Sequence, residues 1–338
     1  MKHTNEVITD NYALYNGDCI EKMANIPDEK IDAIIYSPPF ASLYTYSSSD
    51  NDLGNCRTYE EFMEHYAFVV KENFRILKKG RFIAVHCMDL PRNGDGGIQD
   101  FPGDIIRLHE QNGFKFWDRK NIWKEPLRVA IRTRQRALMH VQLVTDTSKC
   151  RGALADYLLI FKKKGDNETP IVQPFGLTDY AGDTEIMNEI EKAEYMQLKN
   201  DYINYTDDKT NRLSQFIWRR YASSAWEDIR PQVCLDYKAA RDKEDDRHVC
   251  PLQLDVITRF VHLYTNPNET VLTPFMGIGS EVFASVVAGR RGIGIELKPS
   301  YFRQAVKNLE SSKDYNTKEK LPELFDNIPE SEIEIEDF

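Results

Sequence analysis

Both ends of the chain alternate short apolar runs with longer segments of helical period, and this alternation limits the fold more than any other feature. Ile31–Tyr36 (IDAIIY) is an apolar run of buried-strand length. It stops at Pro38-Pro39, which lack the N–H needed to continue a ladder. A short strand is predicted at Tyr12–Tyr15, ending at Gly17-Asp18. Tyr59–Leu77 carries Phe62, Tyr66, Val69, Val70, Phe74 and Leu77 at spacings of three and four, the mark of an amphipathic helix. Lys78-Lys79-Gly80 is the expected stop, with cations near the carbonyl end and glycine just after. A strand at Arg81–Cys87, a helix at Gly103–Gln111 and a strand at Ala155–Phe161 follow. Near the other end, Pro251–Tyr264 reads as helix, Thr270–Thr273 as strand, Gly279–Ala288 as helix, Arg291–Ile295 as strand and Tyr301–Leu309 as helix. Such repeated βαβ units predict a doubly wound, mostly parallel sheet covered by helices.

The stretch Asp166–Asp246 breaks the pattern. It is polar and acidic at first, then rich in aromatics and arginines (FIWRRYASSAW, Phe216–Trp226), and reads as an insertion or a small separate domain. Hydrophobic residues make up 41% of the chain and charged residues 29%, which excludes disorder of the whole. No apolar run is long enough to span a bilayer, and the first eighteen residues lack the apolar core of a secretory signal. The six cysteines form no C-x-x-C pair, which argues against a zinc ribbon or disulfide scaffold and for a reduced, cytoplasmic setting; no metal site is expected.

The net charge of −10 is unevenly spread. Pro322–Phe338 alone carries −7 and Asp166–Asp208 carries −9, which leaves +6 over the rest of the chain. Pro126–Lys164 holds nine Lys/Arg against two Asp. A local basic stripe bears on binding, whereas the total bears on solubility. Arg128, Arg132, Arg134 and Arg136 lie in this stretch, the last three at alternate positions. If extended, they would set one face against a phosphate backbone.

Two motifs carry chemistry. Ser37-Pro38-Pro39-Phe40 closes the IDAIIY strand. Its prolines fix φ and make a stiff turn that presents the Ser37 hydroxyl and nearby carbonyls as acceptors beside an aromatic plane. A planar amine needs acceptors for its N–H bonds and a face to stack on. The second motif is Thr273-Pro274-Phe275-Met276-Gly277-Ile278-Gly279-Ser280, between a short strand and a helix. Gly277 and Gly279 permit a tight turn and a close approach of backbone N–H groups to a ligand at a helix start. The next strand ends in Glu296, placed where dinucleotide-type folds bind ribose hydroxyls.

With these residues the chain resembles the amino-directed DNA methyltransferases in which the catalytic motif precedes the cofactor motif, the beta class. Ser37–Phe40 matches their [SND]-P-P-[YFW] motif, and Thr273–Ser280 matches their D-P-F-x-G-x-G-[ST] motif for S-adenosylmethionine, with Thr273 in the place of the usual Asp. HVCPLQLDVITRFV (His248–Val261), which contains Pro251, resembles the helix that helps hold the methionine end, and Gly17-Asp18 the motif near the adenine. The resemblance implies a Rossmann-like methyltransferase fold with a seven-stranded sheet. A catalytic half would occupy 1–165, a target-recognition region 166–247, a cofactor half 248–320 and an acidic tail 321–338. It implies a cofactor site of Asp18, Pro251, Thr273, Pro274, Phe275, Gly277, Gly279, Ser280 and Glu296, and a catalytic site of Ser37, Pro38, Pro39 and Phe40. Phe40 would stack on a base flipped out of double-stranded DNA, helped by Tyr44 or Tyr46. Arg212, Arg219 and Arg220 could read guanine edges or touch phosphates. Serine at the first motif position is commoner in N4-cytosine enzymes of the family, which favours cytosine. N6-adenine methylation, or a catalytically inactive protein that binds cofactor and DNA, are the alternatives. A restriction endonuclease counterpart and a monomeric or dimeric state are open.

Overall fold

The computed structural model describes residues 5–39, 53, 56–92, 97–133, 139–202, 211–236 and 251–312, with backbone alone for 131–133. In chain order the elements are β1 (Glu6–Ile8), β2 (Tyr12–Asn16), α1 (Cys19–Met23), β3 (Ile31–Tyr36), α2 (Tyr59–Ile76), β4 (Leu77–Met88), β5 (Leu90–Pro91) and β6 (Ile98–Gln99). They continue with α3 (Phe101–Gln111), β7 (Phe114–Ile122), α4 (Pro126–Thr133), α5 (His140–Thr145), β8 (Asp156–Lys163), α6 (Glu189–Tyr202), α7 (Arg212–Ala222) and β9 (Ala225–Trp226). The last are α8 (Leu254–Tyr264), β10 (Thr270–Thr273), α9 (Ser280–Val287), β11 (Arg291–Glu296) and α10 (Pro299–Ser311). No helix among the described residues is long and apolar enough to cross a membrane.

Among the described residues, nine strands form one sheet in the order β1-β2-β11-β10-β3-β4-β8-β7-β9. The expected seven are its centre, and a short strand lengthens each edge. From β2 to β4 every neighbour is parallel. β8 runs against both β4 and β7. The expectation of a mostly parallel sheet thus holds, with β8 reversed between β4 and β7 and β1 antiparallel at the far edge. β10 and β3 sit side by side while their successors β11 and β4 lie on opposite sides, so the chain leaves the two strands in opposite directions. A crevice opens at such a point, beyond the carboxyl ends of the strands.

Alternation along the strands sorts the side chains onto two faces. Ala33, Ile35, Phe82, Ala84, Leu158 and Ile160 join the residues of α8, α9 and α10 in one core. Ile34, Tyr36, Ile83, Val85, Leu159 and Phe161 join those of α1, α2 and α3 in the other. Two sequence readings change here. Lys78-Lys79-Gly80 does not follow the helix stop as a loop but begins β4, because Leu77 pairs with Ile31 and the Lys78 ammonium reaches buried Asp32 at 2.6 Å. Gly80 has φ 71°, and a Cβ there would meet the backbone of Asn167. Phe114–Ile122, left unassigned by the periodicity, is a strand with exposed polar positions along most of its length.

The insertion is tied to the main sheet. Ala225–Trp226 adds a parallel edge strand to β7, and the Trp226 side chain is buried in the α8–α10 core. Two Arg–Asp pairs cross between the insertion and α8 in opposite senses. Arg259 of α8 bonds Asp228 at 2.7 Å, and Arg230 bonds Asp255 of α8 at 2.6 and 2.9 Å. The Tyr180 hydroxyl also donates to Asp228. Arg259 and Asp228 are both buried. Removing one partner leaves the other charge desolvated without compensation. Arg259→Ala is therefore expected to cost about 3–5 kcal/mol, measured as the loss of unfolding free energy in urea. A loss below about 1 kcal/mol would show that Asp228 does not depend on this partner.

Candidate active site

The parallel strands β2, β11, β10, β3 and β4 all end on the same edge of the sheet, and the two motifs meet there. Ser37 follows β3 and continues the face of Ala33 and Ile35. His86 continues the face of Phe82 and Ala84 on β4. Asp156 opens β8, two residues before Leu158 on that same face. The three side chains form a hydrogen-bonded chain. Ser37 Oγ lies 2.9 Å from His86 Nδ1, and His86 Nε2 lies 3.2 Å from Asp156 Oδ2. The Lys124 ammonium is 3.3 Å from that same carboxylate oxygen, with 8% of its side chain exposed. His86 and Asp156 are buried. Neither was singled out in the sequence, although His86 stands at a strand end and Asp156 interrupts the start of an apolar run. Pro38 is buried and Pro39 half-buried, while Phe40, Tyr44 and Tyr46 lie outside the described residues.

The second motif sits across the crevice. The ring of Phe275 meets that of Tyr36 edge-on at 5.6 Å, joining the turn after β10 to the end of β3. Gly277 and Gly279 have φ of 55° and 95°, in the region only glycine enters easily. Their N–H groups do not point to a free ligand position, as the motif suggested. Gly277 donates to the Glu296 carboxylate at 2.8 Å and Gly279 to the Met276 carbonyl at 2.9 Å. Glu296 also accepts from the Lys298 N–H at 2.7 Å. Asp18 caps α1, accepting from the N–H groups of Ile20 and Glu21 at 2.8 and 3.1 Å. It stands beside Glu296, because Glu296 pairs with Asn16 and the Gly17 N–H donates to the Glu296 carbonyl. Pro274 is buried and Pro251 half-buried.

Among the described residues, three polar atoms near the crevice are buried without a hydrogen-bond partner: Thr273 Oγ1 at the end of β10, Ser280 Oγ at the start of α9 and Gln253 Oε1 just before α8. Buried polar atoms left this way ask for a ligand or water. An amino-acid head group and a ribose between Gln253 and Glu296 suit these acceptors and hydroxyls, so the residues fit S-adenosylmethionine.

Of the predicted DNA-contacting arginines, the described ones lie on two helices, α4 and α7. Pro126–Thr133 is helical, since the Glu125 carboxylate accepts from the N–H groups of Leu127 and Arg128 at 3.1 and 2.7 Å and Pro126 opens the turn. Arg128 and Arg132 thus start one helical turn apart; Arg128 is exposed, and Arg134 and Arg136 lie outside the described residues. Arg212 and Arg219 are exposed on α7, with Glu194 3.8 Å from Arg212. Arg220 is held by Glu191 at 3.1 Å and lies over the rings of Tyr180 and Phe216, which gives it a packing role within the insertion.

Glu281, in the first turn of α9, also escaped the sequence reading. Burial pushes its carboxyl up to about 8, and the Glu296 carboxylate adds to the effect. The folded chain keeps a proton that the unfolded chain releases above about 4.5, so stability falls as pH rises from there towards 8. The slope is at most about 1.4 kcal/mol per pH unit. Glu281→Gln is expected to remove this slope, leaving the variant more stable than the parent at pH 8 and similar to it near pH 4.5, by urea unfolding at both values. Equal slopes in the two proteins would mean that Glu281 is ionised in the folded state.

Known proteins share this architecture. The chain is 25% identical over 322 residues to the type II methyltransferase M.BamHI of Bacillus amyloliquefaciens, covering 93% of this chain and 62% of that protein. The chain therefore spans under two thirds of that relative's length. The complex of TTHA0409 from Thermus thermophilus with S-adenosyl-L-methionine superposes with a TM-score of 0.56 at 19% identity, over 89% of this chain and 95% of the other. The cytosine-N4-specific PvuII DNA methyltransferase superposes with a TM-score of 0.58 at 16% identity, over 93% of each chain. These solved structures share the overall fold described above. The family model of N6/N4 DNA methylases matches residues 31–307, from the first residue of β3 into α10, and the chain belongs to that DNA methylase family.

Proposed function

We propose that this chain is a site-specific DNA methyltransferase that moves a methyl group from S-adenosylmethionine to the exocyclic amine of a flipped base, and that the base is cytosine, methylated at N4. The reading rests on one juxtaposition: the Ser37-Pro38-Pro39 turn and the Thr273–Ser280 turn lie on either side of the point where the strand order reverses, linked by the Tyr36–Phe275 contact. Glu296 and Asp18 hold the nucleoside end of the cofactor. Thr273, Ser280 and Gln253 meet the methionine end, with Pro251, Pro274, Phe275, Gly277 and Gly279 shaping the walls. When bound, the cofactor supplies an electrophilic methyl group. Ser37 Oγ and the Pro38 carbonyl accept the two N–H bonds of the amine, turning its lone pair towards that methyl, and Phe40 stacks on the base. The turn is stiff, so little has to reorganise as charge develops on nitrogen.

Residues 166–247 supply target recognition, and Arg128, Arg212 and Arg219 supply cationic contacts to DNA. The protein works in the cytoplasm, and a restriction endonuclease of the same specificity is the partner that the resemblance to type II methyltransferases suggests. The acidic total does not oppose this, because the negative charge is concentrated in Asp166–Asp208 and the final residues, outside the helices α4 and α7 that carry these arginines.

Ser37→Ala is expected to lower the single-turnover methyl-transfer rate ten- to a thousand-fold, about 1.4–4 kcal/mol of barrier, with cofactor affinity barely changed. Mass spectrometry of digested DNA is expected to show N4-methylcytosine. N6-methyladenine would leave the mechanism and replace the base, while a Ser37→Ala enzyme at full rate would remove the hydroxyl from the reaction. The arginines have a separate test. Arg128→Glu with Arg219→Glu is expected to weaken binding to all DNA sequences and to flatten the salt dependence of affinity. An unchanged slope would take both residues off the phosphates.

A further inference from the structure

We propose that His86 is the proton acceptor of the methyl transfer, reached through the Ser37 hydroxyl and oriented by Asp156. This rests on the catalytic role given to Ser37 above and extends it to two residues that no sequence motif marked. The argument begins with hydrogen-bond direction. Asp156 carries an acceptor-only carboxylate beside the Lys124 ammonium, at 3.3 Å. The His86 Nε2 that faces it at 3.2 Å must therefore carry the imidazole proton. A neutral imidazole then has a bare lone pair at Nδ1, and the Ser37 hydroxyl, 2.9 Å away, donates its hydrogen there. Both Oγ lone pairs are left for the substrate. The chain thus fixes a hydroxyl, which could donate or accept, as an acceptor towards the incoming amine.

The same wiring carries a proton away. As the amine nitrogen bonds to the methyl carbon, the methyl–sulfur bond of the donor breaks with its electron pair left on sulfur, and the positive charge passes to the now four-bonded nitrogen. One of its N–H protons passes to Ser37 Oγ while the Oγ proton passes to His86 Nδ1. The product amine is then neutral, the serine hydroxyl is restored and the positive charge rests on the imidazolium. Its Nε2–H stays on His86 and its charge faces the Asp156 carboxylate. Nothing is oxidised or reduced, and solvent takes the proton between turnovers. Among the described residues, Asp156 is the carboxylate placed against this imidazole, with the Lys124 ammonium on the same carboxylate oxygen. His86 transfers a proton to and from the reacting atoms through one hydroxyl, whereas Asp156 is a positioning residue.

The test compares single-turnover rates of the full chain and three variants on a DNA duplex containing the methylated site, with cofactor affinity by calorimetry as the control for folding. His86→Asn keeps a short acceptor for the Ser37 hydroxyl but cannot hold a proton. It is expected to be ten- to a hundred-fold slower, with cofactor and DNA affinities unchanged. Ser37→Ala/His86→Asn is expected to be no slower than Ser37→Ala alone, since one relay is broken only once. A His86→Asn enzyme with the parent rate overturns the relay while leaving Ser37 in place, provided Ser37→Ala is slow. Additive losses in the double variant overturn it as well. A fast Ser37→Ala enzyme overturns the role of the hydroxyl and the relay with it. If His86→Asn fails to bind cofactor, His86→Gln, whose amide can keep the bond to Asp156 while leaving Ser37 without its acceptor, is expected to be slow in the same way, and a parent-like rate there overturns the relay.

Discussion

The direction of β8 is the constraint on which the site depends. The parallel strands deliver their carboxyl ends, and so Asp18, Ser37, His86, Thr273 and Glu296, to one edge of the sheet. A parallel β8 would deliver its last residues to that edge and bury its first at the other. Because it runs against β4, its first residue, Asp156, arrives beside Met88, diagonal to His86. The hydrogen-bonded chain from Ser37 to Asp156 therefore needs three successive strands, two parallel and one reversed. It also needs their side chains in step on one face, because a one-residue slip in either pairing would turn His86 or Asp156 to the opposite core.

The opposite edge is held by charges of a different kind. Asp32 at the start of β3 accepts from the Thr270 N–H of β10 at 2.9 Å and from Lys78 of β4 at 2.6 Å. Buried Arg81 reaches both Glu269 and the neighbourhood of Asp32, which lies 3.8 Å away. Three adjacent strands are thereby set in register at the end remote from the crevice. The aligned registers then propagate to the other edge, where an error of a few tenths of an ångström matters to a hydrogen bond. Stability and chemistry occupy opposite ends of the same strands.

Much of this was legible in the sequence, and the limits have physical causes. An apolar run such as Ile31–Tyr36 is buried on both faces, so its composition alone marks it. The glycine turn was legible because positive φ restricts the residue type. By contrast, β7 shows solvent to alternate positions, and its Lys, Asp and Arg residues hide the strand. At Arg128 and Arg132 the Glu125-Pro126 start makes the backbone helical, a signal that the spacing of the arginines does not carry. His86 and Asp156 lie 70 residues apart, and no local pattern ties them. Their pairing follows from strand order and direction, which the alternation of elements did not fix at β8. Gln253 and Glu281 were missed for a simpler reason: an orphaned or desolvated polar atom is a property of packing.

The identity of the first motif residue has a consequence for everything behind it. A carboxylate in that position would be an acceptor by its nature, with no hydrogen to misdirect and a charge to meet the one that forms on the amine. A serine hydroxyl has neither property. It becomes a one-way acceptor only when something else claims its hydrogen, and it handles the leaving proton only when something else can take it. His86 meets both needs with a single nitrogen, and Asp156 selects which nitrogen that is. The charge absent from Ser37 is thus present one hydrogen bond further away, in a carboxylate that is buried, paired with Lys124 and out of reach of the substrate. In the proposed reaction, keeping the negative charge at that distance leaves the pocket beside Ser37 neutral until the methyl group moves, so the stabilisation grows with the reaction rather than with substrate binding.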